Sequence, residues 1–316
     1  MGFFKKVKKS AGFLVIGFLD DGIAAVHIKR AHGARPVVEL LAFYPSAMPP
    51  SLAQLEKIGK DLHATDYACA TLLTSAEYQL LTVEAPNVPA EELKTAMRWR
   101  LKDMIDFHID DATFDIIDIP GDSNAPVRTR SLYAVAARNH VIEQRQVQFA
   151  EAKIPLEVID IPEMAQRNLA HLLEAEGRGV ALLSFDARGG LLTLTCGGEL
   201  YLSRFIDIGL PRLDQIEDQQ KYDWLERVTL ELQRSLDHFD RQFHFITLSR
   251  LVLGPMGDAG AILQQYLASN LYLPVEQLAL DTVLDIDKIP ELQKAESQQR
   301  YLAMLGAALR LEEKVL

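Results

Sequence analysis

The sequence predicts a mixed α/β (α+β) chain built of two like lobes, with a small α+β subdomain inserted into the first. Three observations predict it. A meander of three apolar runs opens the chain, a second such meander returns in the later half, and a segment with a different order of strands and helices lies between them. At 316 residues and 48% hydrophobic, the chain can bury cores of the size this requires.

Residues 13–19, 23–29 and 36–44 are the first three runs, rich in β-branched and aromatic residues and separated by Asp20-Asp21-Gly22 and by Ala-His-Gly-Ala-Arg. After Pro49 and Pro50, the spacing of Leu52, Leu55, Ile58 and Leu62 predicts a helix with one buried face. In the intervening segment, residues 78–84 read as a strand. Pro89 then opens a helix whose Glu91 and Glu92 suit the positive end of the dipole, with Leu93, Met97 and Leu101 as its core face. Strands over 113–119 and 131–137 flank a loop at 120–126, and a helix over 140–152 follows.

The later lobe repeats the opening pattern with runs at 180–185, 191–196 and 199–208, joined by Asp186-Ala187-Arg188-Gly189-Gly190 and by Gly197-Gly198. A helix over 218–243 carries Leu225, Val228, Leu232, Leu236, Phe239 and Phe243 on one stripe. A strand over 245–253 feeds the glycine-rich turn from Gly254 to Gly260 and a helix from 261. The predicted partition is a first lobe of 11–75, 153–176 and 292–316, an inserted subdomain of 76–152, and a second lobe of 177–291.

Composition excludes several functions. With 33 basic against 44 acidic side chains, the net charge of -11 disfavours nucleic acid as a partner. The longest apolar stretch, 12–19, is shorter than the ~20 residues of a membrane span, and no signal-peptide layout precedes it, so the expected location is cytoplasmic. Cys69 and Cys196 have neither metal nor redox spacing and read as reduced thiols. His238 and His244 stand six apart, not on one helix face, and neither Ser184 nor Ser203 lies in a nucleophile elbow; no metal site and no catalytic residue is expected. Asp103, Asp106, Asp110 and Asp111 read as a solvated helix end. The first ten residues, MGFFKKVKKS, combine four lysines with two phenylalanines; they suit peripheral contact with an anionic membrane, or simply a solvated terminus.

Two lobes that each offer a glycine-containing hairpin, with a third glycine turn beside them, form the arrangement by which actin-like proteins hold ATP. Glycine lets backbone N–H groups approach phosphate, and a nearby carboxylate can hold Mg²⁺. The candidate nucleotide-binding residues are Asp20 and Gly22, then Asp186, Gly189 and Gly190, then Gly254, Gly257 and Gly260. Taken singly, each turn is also ordinary hairpin chemistry that needs no ligand.

The stretches TVEAPNVPAEELKTAMRWRLKDMIDFHIDDATFDIIDI (82–119) and TLELQRSLDHFDRQF (229–243) resemble the MshI family of MSHA-type type IV pilus biogenesis proteins, relatives of PilM and of the cytoplasmic part of GspL of type II secretion. The resemblance runs over nearly the whole chain and is most specific at 83–119. It implies an actin-like, ribonuclease-H-like fold with an inserted subdomain. It also implies a scaffold at the cytoplasmic face of the bacterial inner membrane, which grips the short tail of a bitopic PilN-like protein and links it to the assembly ATPase and platform protein. Such relatives hold the tail in a groove between the first lobe and the insert, which directs attention to Tyr78, Leu80, Val83, Leu93 and Met97. ATP with Mg²⁺ is the implied ligand, though not a required cofactor, and a homodimer is a further implied state.

The sequence departs from the family pattern at the turns. Asp20-Asp21-Gly22 keeps the first Asp-x-Gly, whereas Ser184-Phe185-Asp186 stands where the second is expected, with Asp186 bringing negative charge towards any phosphate. Pro255 removes an amide donor from the third turn, Met256 adds bulk there, and His27 replaces a lysine common in the family. ATP turnover is therefore not expected. The alternative reading is an ATP-binding conformational switch of the same machinery.

Overall fold

A computed structural model describes residues 10–30, 33–47, 49–122, 130–186, 188–210 and 217–311. The basic segment with Lys5, Lys6, Lys8 and Lys9 lies outside the described residues, as do part of the 120–126 loop and residues 312–316.

In chain order the elements are β1 (Phe13–Leu19), β2 (Gly22–Lys29), β3 (Val37–Pro45), α1 (Leu52–Asp61), β4 (Ala68–Leu72), β5 (Tyr78–Glu84), α2 (Ala90–Leu101), β6 (Ala112–Ile119), β7 (Ser131–Arg138), α3 (Asn139–Glu151), β8 (Leu156–Asp160) and α4 (Pro162–His171). Then follow β9 (Gly179–Phe185), β10 (Gly190–Cys196), β11 (Glu199–Ile206), α5 (Asp218–Gln242), β12 (Leu248–Leu253), α6 (Asp258–Asn270), β13 (Val275–Gln277), α7 (Leu280–Val283) and α8 (Ala295–Ala308).

The duplication expected from the two meanders is present in the strand order. One five-stranded sheet runs β3-β2-β1-β4-β8 and the other β11-β10-β9-β12-β13. In each, the first strand of the meander pairs in parallel with the strand that follows the meander: β1 with β4, and β9 with β12. A further parallel strand then extends each sheet, β8 beside β4 and β13 beside β12. Of these strands β4 is buried along nearly its whole five residues, so its sequence carries little alternation.

The chain divides into two compact units, one of Met1–Ala25 and Ala42–Pro162, the other of Val26–Leu41 and Glu163–Leu316. This division keeps 42–162 together and places 163–176 and 292–311 with the second unit, where the sequence-based partition assigns those two segments to the first lobe.

Within the first unit, α1 starts on a capping box: Ser51 accepts from the Gln54 amide while the Gln54 side chain accepts from the Ser51 amide. Leu55 and Ile58 are its buried face, as their spacing requires, while Leu52 stands outside that face. The segment between β4 and β8 forms its own three-stranded sheet, β5-β7-β6, antiparallel throughout. On one side of this sheet, Val83, Leu132, Ala134 and Ala136 pack against Met97 and Leu101 of α2 and against Ile105 and Ile109. Within the second unit, Leu225, Val228, Leu232, Leu236 and Phe239 of α5 are buried along the predicted stripe. There α8 crosses α4 so closely that a Cβ at Gly306 would meet the backbone of Ala165, its carbonyl carbon at 2.6 Å.

Candidate functional site

The eight candidate nucleotide-binding residues fall on both units: Asp20 and Gly22 on the first, the other six on the second. Asp20 and Asp21 form the exposed two-residue turn between β1 and β2, and the Asp21 carbonyl accepts from the Ser46 amide at 3.1 Å. Gly22 lacks the positive φ that turn glycines often supply. Its reason is close approach: a Cβ there would stand 2.9 Å from the Phe43 ring and nearer still to the Tyr44 carbonyl oxygen.

The second lobe repeats this device. A Cβ on Gly189 would stand 2.5 Å from the Ile206 carbonyl oxygen and 2.7 Å from the Phe205 ring, and one on Gly190 would stand 2.9 Å from the Phe185 ring. In both meanders the glycine of the first hairpin thus lies under an aromatic residue and its neighbour's carbonyl on the third strand. This packing needs no ligand.

Asp186 turns into its own hairpin. One carboxylate oxygen accepts from the amides of Arg188 at 2.8 Å and Gly189 at 3.0 Å, and the other pairs with the Arg188 guanidinium at 3.2 Å. This is an Asx turn, in which an acidic side chain satisfies amides that a phosphate-binding turn would present to its ligand. Ser184 also turns inward, donating to Gln166 at 2.6 Å, while the Gln166 amide nitrogen donates to the carbonyls of Leu182 and Leu191 and to the Thr193 hydroxyl.

In the third turn Gly254 donates to the Leu183 carbonyl at 2.7 Å. Gly257, at φ +55, is the N-cap of α6 and makes no side-chain cap. The buried Met256 side chain lies 3.1 Å from where a Gly260 Cβ would be, so it fills the space before the helix, and Asp258 puts a negative charge at the helix start. His27 is buried in β2 beside Glu39, at 3.7 Å. The Asp186 carboxylate thus takes up amides of its own turn, and Met256 fills the space beside Gly260 in the third.

The five candidate partner residues divide between the two faces of the module sheet. Register sets Tyr78 opposite Ala137 and Leu80 opposite Val135, and Val83 opposite Leu132. Because side chains alternate along a strand, Tyr78 and Leu80 share one face while Val83 lies on the other. Val83 and Met97 belong to the module core, Met97 with 0% exposure, and Leu93 packs against that core. Met97 and Val83 therefore hold the module together, and a partner cannot touch them while it is folded.

The first unit carries a groove that these residues do not line. It is an open pocket of about 360 Å³ bounded by Phe18 at the end of β1, Pro49 and Pro50 before α1, Glu77 before β5, and Val141, Gln144, Arg145 and Gln148 of α3. The four α3 residues recur at three- and four-residue steps, so they form one stripe of that helix. Arg145 lies over the Phe18 ring at 4.4 Å, and Phe149 meets the same ring edge-on at 6.1 Å. The Arg145 guanidinium donates to Glu77 at 2.9 Å, and the other Glu77 oxygen accepts from the amide and hydroxyl of Thr74 at 2.7 and 3.0 Å. Burial lowers the Arg145 pKa, and the carboxylate of Glu77 opposes that shift.

Sequence reasoning missed the residues that line this groove because its walls come from four separate segments. The available signals were Pro49-Pro50 and the polar stripe of α3, a helix whose one fully buried residue is Phe149.

The second unit has a larger depression, of about 560 Å³, near Tyr272 and Asp240. Four of its polar side chains are already engaged: Tyr272 donates to Asp240 at 2.8 Å, Ser249 to the Gly179 carbonyl and Arg178 to the Leu248 carbonyl. Among the described residues no cluster of His, Cys, Asp and Glu could hold a metal, and no helix is long and apolar enough to cross a membrane.

Neither the protein-family models nor the curated protein sequences contain a match to the chain. Solved structures do. A chain of a PilM-PilN type IV pilus biogenesis complex is similar over 95% of this chain and 98% of its own length, with 19% identity and a TM-score of 0.67. A Bacteroides thetaiotaomicron protein with an actin-like ATPase fold and unknown function is similar over 91% of this chain and 97% of its own, with 12% identity and a TM-score of 0.50. The fold is actin-like. The cytoplasmic domain of EpsL, an inner membrane component of the type II secretion system of Vibrio cholerae, is also similar, at 13% identity over 83% of this chain and 97% of its own, with a TM-score of 0.47. In this actin-like chain the hairpin glycines serve packing, and the three-stranded module between β4 and β8 supplies one wall of the groove.

Proposed function

We propose that the chain is a cytoplasmic scaffold of type IV pilus biogenesis, of the MSHA type and the MshI kind, which holds the cytoplasmic tail of a PilN-like inner-membrane protein. The single observation that carries this reading is the groove between the end of β1, Pro49-Pro50 and α3. It lies where the PilM-like resemblance leads one to expect the tail, between the opening sheet and the inserted module. The likeness of fold to a chain of a PilM-PilN complex, over nearly all of both chains, supports the same reading. In this role the protein sits at the inner face of the inner membrane, recruited by its bitopic partner, and passes that attachment on to the assembly ATPase and platform protein. It works without nucleotide turnover. Asp186 supports that part of the proposal, since its carboxylate already takes the amides of Arg188 and Gly189.

Calorimetric titration of the full chain with the synthetic tail of the PilN-like protein tests the proposal. Saturable binding is expected, weakened at least about tenfold by Val141→Asp, which replaces part of the groove's apolar wall with a charged side chain. Absence of binding by any such tail, or binding untouched by Val141→Asp in a variant that melts like the parent, contradicts it.

A further inference from the structure

We infer that the face of α5 and α6 that carries Tyr222, Tyr266 and Tyr272 is a docking surface for an arginine-rich linear segment of a partner protein. It lies wholly on the second unit and shares no residue with the groove of the first.

Tyr222, Glu226, Gln233, Asp237 and Asp240 recur along α5 at steps of four, seven, four and three residues, which places them within an arc of about 60°. Three pairings turn this stripe towards α6 and the residues after it. The Tyr222 ring meets that of Tyr266 edge-on at 6.0 Å, the Gln233 side chain donates to the Asn270 carbonyl at 3.0 Å, and the Tyr272 hydroxyl donates to Asp240 at 2.8 Å. Tyr222 and Tyr272 are nevertheless 50% and 62% exposed, and Leu230 beside them is exposed as well. A run of exposed aromatic residues on an otherwise charged helix marks an interaction surface.

The charges around the rings say what that surface takes. Glu226, Asp237 and Asp240 are all exposed on the stripe, whereas Arg227, Arg234 and Arg241 stand about a quarter turn further round the helix. The carboxylates lie close to the rings: Glu226 helps its hydrogen-bonded neighbour Tyr222 to raise the Tyr266 phenol, and Asp240 and Asp237 add to the rise that burial gives Tyr272. Tyrosine faces flanked by carboxylates fit a guanidinium, which stacks on a ring and pairs with a carboxylate at its edge; an ammonium does this less well. Asp240 and Tyr272 also line the depression of the second unit, but Arg178 and His244 line it too, so a cation is held on the stripe and not inside.

Helix geometry sets the spacing of the occupant. Glu226 and Asp237 are eleven residues apart in α5, about 16 Å along its axis, and an extended chain covers that in about five residues.

The test is fluorescence anisotropy of labelled Gly-Ser peptides on the full chain, with arginine, lysine or glutamine at every fifth position. The arginine peptide is expected to bind at least about tenfold more tightly than the glutamine peptide and about threefold more tightly than the lysine peptide. Glu226→Gln combined with Asp237→Asn should weaken it at least about fivefold, and Tyr222→Ala, which changes no charge, about threefold. Asp103→Asn combined with Asp106→Asn removes the same charge from the first unit and should leave binding unchanged. Equal affinity for the arginine peptide and either of the others, or equal weakening by the two double variants, overturns the inference in favour of attraction by net charge alone. Release of the arginine peptide by an equal concentration of spermidine overturns it in favour of a polyamine. Tyr222→Ala decides the matter if the stripe double variant fails to fold, since unchanged binding there removes the rings from the site.

Discussion

The backbone amide of Gly189 donates to the carboxylate of Asp186 across 3.0 Å, inside a single hairpin. The same carboxylate oxygen also receives the Arg188 amide at 2.8 Å. The second hairpin of this actin-like chain therefore carries its own anion.

A thermal-shift series with millimolar Mg·ATP should leave the melting temperature of the wild-type chain unchanged, because a ligand present at ~100 times its dissociation constant would add ~2.7 kcal/mol and be plainly visible. Asp186→Ala should cost about 1 kcal/mol in urea unfolding, the usual range for a lost side-chain cap on backbone amides. A shift of several degrees with Mg·ATP would restore the switch reading.

The two hairpin glycines give a paired prediction. Gly22→Ala and Gly189→Ala should each destabilise by about 1–3 kcal/mol, since the added methyl meets a carbonyl and an aromatic ring on the third strand. Gly121→Ala, with nothing within 4 Å of the added carbon, should stay within about 0.5 kcal/mol. Equal, small costs at all three sites in urea titrations would remove the packing account of these glycines.

The two cysteines should separate by reactivity. Cys69 is fully buried, whereas Cys196 is half-buried, with its thiol pKa raised above the usual 9.0 by burial first and by Glu174 second. A raised value means less thiolate at neutral pH, so Cys196 should react with a thiol reagent more slowly than an exposed cysteine, and Glu174→Gln should speed it about two- to threefold. The native thiol keeps its proton at a pH where the unfolded one has lost it, so this group's share of stability is present below the unfolded thiol's pKa and declines as pH rises above it. Labelling at pH 8 that is as fast as in a free peptide would contradict the assignment.

Much of the fold was legible in the sequence, because long periodic elements announce themselves. The meander strands and the stripe of α5 fall where their spacing puts them, to within a few residues at the ends. The strand expected from 245 begins at Leu248, since Phe243 to Ile246 close a turn, with the Ile246 amide on the Phe243 carbonyl. The helix expected from 261 begins at Asp258, directly after the left-handed Gly257. β4 and β8 are five-residue parallel strands, too short for periodicity to distinguish them from other buried segments.

The site was less legible, because its logic is tertiary. Gly22 reads as a turn glycine until Phe43 and Tyr44 are seen above it. Asp186 reads as a charge aimed at phosphate until its carboxylate is seen on its own hairpin. Alternation along β5 separates Tyr78 and Leu80 from Val83, but only the position of α2 shows which face is core. Phe18, Glu77 and Arg145 are distant in sequence, and nothing local links them.

Hydrogen exchange with and without the PilN-like tail tests the central claim most directly. The account predicts added protection on α3, around Val141 to Gln148, and at the start of α1 after Pro50, with the glycine turn before α6 unchanged. Protection confined to the second unit, or absent from α3 at saturating tail, would contradict it.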